Sequence, residues 1–216
     1  MTYEIQAVVE GHGEVLAVPA MLDRWFKRRR FHNFRAAPRA VRAFGHSSIK
    51  AQARPNTSVG IEHWVSIART GGAHGILVVV DAETDCDTRQ AAGGPPLGPE
   101  LRARAEAAAG GIPVAVVVAD HEFESWFLAH ERPFRAAGVL SQAASGLARD
   151  VDSIGEAKGT LRSLIVGGYE PRTHQPQLAA RMSFSRAALG RSRSLTKLNT
   201  ELERLSQAVR KLSEAP

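Results

Sequence analysis

Apolar residues in the first half of the chain fall in short continuous runs separated by amphipathic stretches, the order that builds a parallel sheet with helices on its faces. Tyr3 to Val9 predicts the first strand. Glu14 to Arg30 predicts a helix, because Leu16, Val18, Leu22, Trp25 and Phe26 keep helical spacing, with Pro19 inside it as a point of kinking. Arg39 to Phe44 predicts a second strand with a basic face. Ser58 to Thr70 predicts a helix capped by the serine and closed by Gly71 and Gly72. Ile76 to Val80 and Pro113 to Ala119 are valine-rich runs without alternation, as strands buried on both faces are. Pro99 to Ala109 lies between them as a helix, so this segment reads as a βαβ unit with a right-handed crossover. Beyond His130 the helical pieces shorten. Thr196 to Leu212 then predicts a longer helix whose Leu198, Leu202, Leu205 and Val209 form one stripe, packed on the domain or open to a partner helix.

Composition narrows this picture. A chain of 216 residues with 44% hydrophobic content can bury a substantial core, as one domain with embellishments or with a small appendage. No apolar run approaches the roughly 18 residues of a membrane span, and no basic segment followed by an apolar stretch opens the chain as a secretory signal would. The expectation is a cytoplasmic protein that does not enter a membrane. The lone Cys86 cannot form an internal disulfide, and its acidic neighbours argue against a nucleophilic thiol. The 28 Lys and Arg residues exceed the 22 Asp and Glu residues, giving a net charge of +6. Arg28, Arg29 and Arg30 cluster near the start, and Arg186, Arg191 and Arg193 near the end. Such clusters attract phosphate backbones, or they are simply solvated helix ends.

Candidate chemistry sits where the apolar strands run out. Glu10 and Gly11 follow the first strand. Asp81, Glu83 and Asp85 follow the valine run, and they share one face if the chain stays extended there. In an open α/β sheet, ligands bind outside the carboxyl ends of the strands, so Glu10, Asp81, Glu83 and Asp85 are candidate metal ligands. Three neighbouring carboxylates repel one another unless a cation lies between them, or unless the loop is solvated. A hard ion such as Mg²⁺ or Mn²⁺ suits such oxygens. Asp87 reads as an outer member of the cluster. The run from Ala91 to Pro96 reads as a loop that could move over the site. A dinucleotide fingerprint has little support, because Leu16 stands where its third glycine belongs and Glu10 would sit against an incoming pyrophosphate. A third group, Asp120-His121-Glu122-Phe123-Glu124-Ser125-Trp126, opens a predicted helix with Asp120 as cap and Glu122 and Glu124 in the first turn. Capping alone explains these acids, but His121 and Glu122 also face the same crevice. Phe123, Trp126 and Phe127 are expected in the core.

These residues resemble a family. Glu-Gly after the first strand, followed by an Asp-x-acid-x-Asp group after a valine-rich strand, looks like the Toprim domain of topoisomerases, primases and overcoming-lysogenization-defect nucleases. More narrowly, Val-Glu-Gly-x-x-Glu, His-Glu-Phe-Glu-Ser-Trp and Glu156-Ala157-Lys158-Gly159 followed by Gly168-Tyr169 resemble a bacterial family of stand-alone Toprim-like proteins of unknown function. The resemblance implies a Toprim-like α/β fold with a mainly parallel central sheet flanked by helices, a core over residues 1–132 and a helical C-terminal extension over 133–216. It implies bound Mg²⁺ or Mn²⁺ and cleavage of DNA or RNA, in a phage-defence or mobile-element setting. Nucleic acid is the implied partner, with a protein such as a co-encoded ATPase as a second. By position, Glu10 matches the motif glutamate and Asp81 the first aspartate of the Asp-x-Asp pair. Glu83 departs from that pattern and Asp85 could substitute. Lys158 would neutralise phosphate, or it is a solvated lysine. His121 would donate a proton to the leaving oxygen, or it is an ordinary first-turn histidine. A tyrosine nucleophile has little support, since only Tyr3 and Tyr169 exist. The competing expectation is an inactive Toprim-like module that binds a protein or a nucleic acid.

Overall fold

The computed structural model describes residues 1–54, 56–85, 96–141 and 147–214. The predicted loop at 91–96, apart from Pro96, lies outside these residues, as do Cys86 and Asp87. Among the described residues five strands form one sheet: β1 (Tyr3–Val9), β2 (Phe34–Ala36), β3 (Val41–Arg42), β4 (Gly75–Asp81) and β5 (Val114–Ala119). Their order is β2-β1-β4-β5, with β3 beside the far end of β1, and every pairing is parallel. The helices are α1 (Glu14–Arg29), α2 (His46–Lys50), α3 (Ile61–Thr70), α4 (Leu97–Ala108), α5 (Ser125–Leu128), α6 (Glu131–Ala136), α7 (Ala157–Leu164), α8 (Pro171–Ala179), α9 (Arg186–Leu189) and α10 (Arg193–Glu214), with a short 3₁₀ turn at Val151–Ser153. This is an α/β, Rossmann-like arrangement.

The pleat sorts the core into two layers. Ile5, Ala7, Val9, Leu77, Val79, Ala115 and Val117 project to one face, where α1 and α10 cover them. Val8, Ile76, Val78, Val80, Val114 and Val116 project to the other face, beneath α3 and α4. β4 is therefore apolar on both sides, as its unbroken valine run predicts. The stripe Leu198, Leu202, Leu205 and Val209 is buried against the sheet, so it is not open to a partner helix. The long C-terminal helix is thus a layer of the same core as β1.

Local expectations change in four places. Leu16 is 44% exposed, and α1 instead buries Val15, Val18, Met21, Leu22, Trp25 and Phe26. The strand expected over Arg39 to Phe44 shrinks to Val41 and Arg42, while Phe34–Ala36 supplies an additional edge segment against β1. The helix expected from Ser58 begins at Ile61 after Gly60, with no side-chain cap. Asp120 does not cap a helix, because α5 begins only at Ser125. Phe123, Trp126 and Phe127 are fully buried, as expected. No helix among the described residues is long and apolar enough to cross a membrane.

The C-terminal helices are fastened by buried polar bonds. Trp25 Nε1 donates to Asn199 Oδ1 at 3.0 Å, joining α1 to α10. Asp152, in the 3₁₀ turn, accepts from Ser192 Oγ (2.7 Å), Ser194 N (2.9 Å) and Ser194 Oγ (3.1 Å) at the start of α10. Trp126 Nε1 donates to the same Ser194 Oγ at 2.8 Å. Asp152→Ala strands these donors out of water, so urea unfolding should show a loss of about 2–4 kcal/mol. Ser192→Ala should cost only about 1 kcal/mol. Equal and small losses in both variants would show that Asp152 does not hold this junction.

Candidate functional site

The strand order fixes where a ligand could enter. From β1 the chain passes through α1 to β2 on one side of the sheet, and through α3 to β4 on the other. The connections diverge between the carboxyl ends of β1 and β4, which is the switch-point crevice of a doubly wound sheet. Glu10 follows β1 and Asp81 ends β4. The two meet there: Asp81 N donates to Glu10 Oε1 at 2.9 Å.

Two further buried acids join them. Glu14, the first residue of α1, turns back so that its Oε2 accepts from the backbone N–H of Glu10 (3.1 Å) and Gly11 (3.2 Å). Gly11 is required here for space rather than for an unusual dihedral, because a Cβ would lie 2.7 Å from Glu14 Oε1. Glu124, just before α5, is almost wholly buried, and its Oε1 accepts from Tyr169 Oη (3.2 Å) and Gln175 Nε2 (3.0 Å). Gly13 lets α8 close on this group, since a Cβ would meet Gln175 Oε1 at 2.1 Å and Pro171 O at 3.0 Å. Asp81 Oδ1 accepts from Phe123 N at 2.7 Å. Each of the four acids thus commits one oxygen to the fold. The second oxygen of each makes no hydrogen bond to the described residues.

Crowding shows in the protonation equilibria. Burial raises Glu14 to about 7, and the charges of Glu10 and Glu124 add to the effect. Asp81 keeps some surface open to solvent, yet its enclosed carboxyl is pushed well above the ordinary range, first by desolvation and then by Glu14, Glu10 and Glu124. Glu124 is raised mainly by burial. Lys158, at the start of α7, answers this charge: its Nζ lies 3.5 Å from Glu122 Oε1 and 3.8 Å from Glu124 Oε1. Burial alone would lower the ammonium, but Glu124, Glu122 and Asp81 outweigh it and the net shift is upward.

Asp85 and Glu83 do not join Asp81 on one face. The strand stops at Asp81, and the left-handed backbone of Glu83 (φ 48°) breaks the alternation that extended chain would have kept. Glu83 is exposed. Asp85 turns to α2, where Oδ2 accepts from His46 Nε2 (2.9 Å) and from Lys50 Nζ. His46 Nδ1 reaches Glu10 Oε1 at 3.2 Å, so one imidazole bridges two acids. Burial opposes its charge, but Glu10 and Asp85 prevail and its pKa is raised, which favours the doubly protonated ring. Arg104 holds α2 in place by donating to Lys50 O (3.1 Å) and Ala51 O (2.6 Å) while pairing with Glu62. His121 Nδ1 contacts Glu83 O at 2.9 Å, which ties the β4 and β5 loops together. Burial and Glu124 hold the Tyr169 hydroxyl far above its ordinary value, so it stays protonated and unsuited to nucleophilic attack.

The predicted arginine groups lie elsewhere. Arg29 donates to Asn199 Oδ1 at 2.7 Å, and Arg191 donates to Glu131 Oε2 (3.2 Å) and Ala148 O (3.0 Å), so both serve the fold. Arg28, Arg30, Arg186 and Arg193 are exposed. Arg186 and Arg191 line a hollow of about 750 Å³ that none of the four acids borders. Sequence reasoning missed His46, Lys50 and Gln175, and it gave Glu14 and Glu124 no role as ligands. The Glu-Gly-x-x-Glu spacing was the available signal for Glu14. His46 also follows a strand end, by the rule that singled out Glu10.

As they stand, the described residues include no group of three or more His, Cys, Asp or Glu side chains arranged to hold a metal ion. No family model, no curated protein and no solved structure matches the chain.

Glu14 supplies a test of the crowding. Between 4.5 and about 7 the folded chain keeps a proton that the unfolded chain has lost, so this group's stabilisation is full below that window and declines as pH rises through it. His46, also raised, acts in the same direction. Buried His130, lowered to about 4, acts in the opposite one. Comparison with Glu14→Gln cancels both histidines. In chelator, the variant should gain on the wild type by on the order of 1–3 kcal/mol as pH rises through the window, read by urea unfolding. A difference that stays constant with pH would show that Glu14 is not crowded.

Proposed function

We propose that this chain is a Toprim-like, divalent-cation-dependent phosphodiester hydrolase acting on nucleic acid. The observation that carries the reading is the meeting of Glu10, Glu14, Asp81 and Glu124 at the switch point, each with one oxygen left over from its structural bond. Acids this close are stabilised by a cation among them, and an all-oxygen set of carboxylates suits Mg²⁺ or Mn²⁺.

Glu10, Asp81, Glu14 and Glu124 would hold the ion. Bound there, it supplies charge neutralisation for the phosphate and a water of lowered pKa. Glu10 is kept in register by Asp81 N and His46, so its uncommitted oxygen is placed either to bind the ion or to accept a proton from the attacking water. Lys158 remains charged and 42% exposed at the rim, where it would bind a non-bridging phosphate oxygen. The second reading is a non-catalytic module, favoured by the structural bond that every one of these acids makes.

Mn²⁺ or Mg²⁺ at a hundredfold excess over Kd should stabilise the protein by about 2.7 kcal/mol, an upshift of roughly 5–10 °C in thermal melting for a chain of this size. Asp81→Asn, which keeps the acceptor for Phe123 N and matches the neutral form, should fold yet lose the upshift. Glu10→Gln and Asp81→Asn should each lower metal-dependent cleavage of DNA or RNA by more than about a hundredfold. Wild-type protein that neither shifts nor cleaves with either ion would favour the binding module. Undiminished cleavage in both variants would remove these acids from the chemistry.

A further inference from the structure

Immediately beside the acids, the chain exposes an aromatic ring in a conformation that such residues avoid. Phe44 is 68% exposed, and its backbone is left-handed (φ 57°). A bulky residue rarely adopts that region, and such outliers cluster where a ligand is held. A lone exposed apolar residue would need no explanation. Phe44 is not a lone residue on a loose loop. Ala43 N donates to Val9 O at 2.8 Å, which anchors it at the carboxyl end of β1, and two residues later His46 bonds Glu10 and Asp85. The Arg42 guanidinium lies over the Phe44 ring at 4.7 Å, and Trp64 braces it at 6.0 Å between ring centres. Arg42 Nε is buried without a hydrogen-bond partner among the described residues.

Cations extend outward from this ring along the same edge. Arg42 pairs in register with Val9, and Arg39 holds its place by accepting from Gln6 Nε2 at 2.8 Å through its carbonyl. The tight approach of Gly13 to Pro171 brings the start of α8, with Arg172 as its second residue, against the turn that follows β1. Arg42 and the exposed Arg39 thus border the β1 side of the acidic centre, and the exposed Arg172 stands at the start of α8. An aromatic face flanked by arginines is how proteins hold unpaired nucleotides, with stacking on the base and the cations tracking the phosphates. A base within a duplex is already stacked on its neighbours and cannot occupy such a face.

We propose that Phe44, with Arg42 stacked on it, seats an unpaired base of a single-stranded nucleic acid, while Arg39 and Arg172 take the flanking phosphates and lead the strand to the carboxyl cluster. This assignment of substrate class rests on the nuclease reading above, but its test does not depend on cleavage. Binding is measured by anisotropy at low salt with Ca²⁺, using labelled oligothymidylate, an abasic strand with the same number of phosphates, and a blunt duplex. Wild-type protein should bind oligothymidylate about tenfold tighter than the abasic strand, since only the former has a base to stack. It should also prefer oligothymidylate to the duplex. Phe44→Leu keeps the apolar bulk without the π face and should erase the preference for bases. Phe44→Tyr should retain it, and thermal melting checks that both variants fold. Equal affinity for the two single strands, an unchanged preference in Phe44→Leu, or no binding of any strand would each overturn the proposal. Cleavage is assayed separately in Mg²⁺ and Mn²⁺. Base-dependent binding without cleavage would keep the seat and reject the nuclease, whereas cleavage without base dependence would do the reverse.

Discussion

The need to bury both sides of β4 governs the rest of the fold. Ile76, Val78 and Val80 point one way and Leu77 and Val79 the other, with almost no polar atom among them. Fully burying each such side chain contributes about 1.5–3 kcal/mol, so neither face can be left in water. Two helical layers are consequently obligatory. One is supplied by α3 and α4, and the other requires α10, recruited from the far end of the chain. With β4 central and both faces closed, the outlet left for polar chemistry is its carboxyl end.

That outlet concentrates acids, and the fold tolerates them by dividing their labour. Glu14 fastens the turn after β1, Asp81 fastens the loop before α5, and Glu124 fastens α8 through Gln175 and the tyrosine at 169. Each bond offsets part of the desolvation cost of a buried carboxyl. The remaining repulsion is met by Lys158 on one side and His46 on the other. These acids are therefore half structural and half available. Removing charge at constant shape is accordingly a cleaner experiment here than truncation.

The parts of this arrangement that were legible in the sequence share one property: they are written in short-range pattern. Unbroken valine runs announced β4 and β5, and acids placed directly after apolar strands announced Glu10 and Asp81. Glu124 was hidden because an acid near a helix start is so readily explained by capping. Only the arrival of α8, with a Gln175 contact spanning 51 positions, shows it to be buried. Asp85 misled for a related reason. Alternation along a strand says nothing once a residue such as Glu83 turns left-handed, and its true partner His46 lies 39 positions away. The arginines at 29 and 191 looked like free charge because the carboxylate and amide oxygens that engage them are likewise remote.

Glu124 also carries a consequence for the timing of biosynthesis. Its lysine, tyrosine and glutamine neighbours at 158, 169 and 175 are all translated after it, and α10, which closes one face of β4, is translated later still. Chains emerge and begin to fold from the amino terminus. A nascent polypeptide that has extended only through α6 therefore displays Glu124 without the groups that organise it, on a sheet still missing one of its coverings. Glu124 acquires its full set of partners only once α8 has emerged, and the sheet its second covering only once α10 has docked, so translation through α10 precedes whatever the site does.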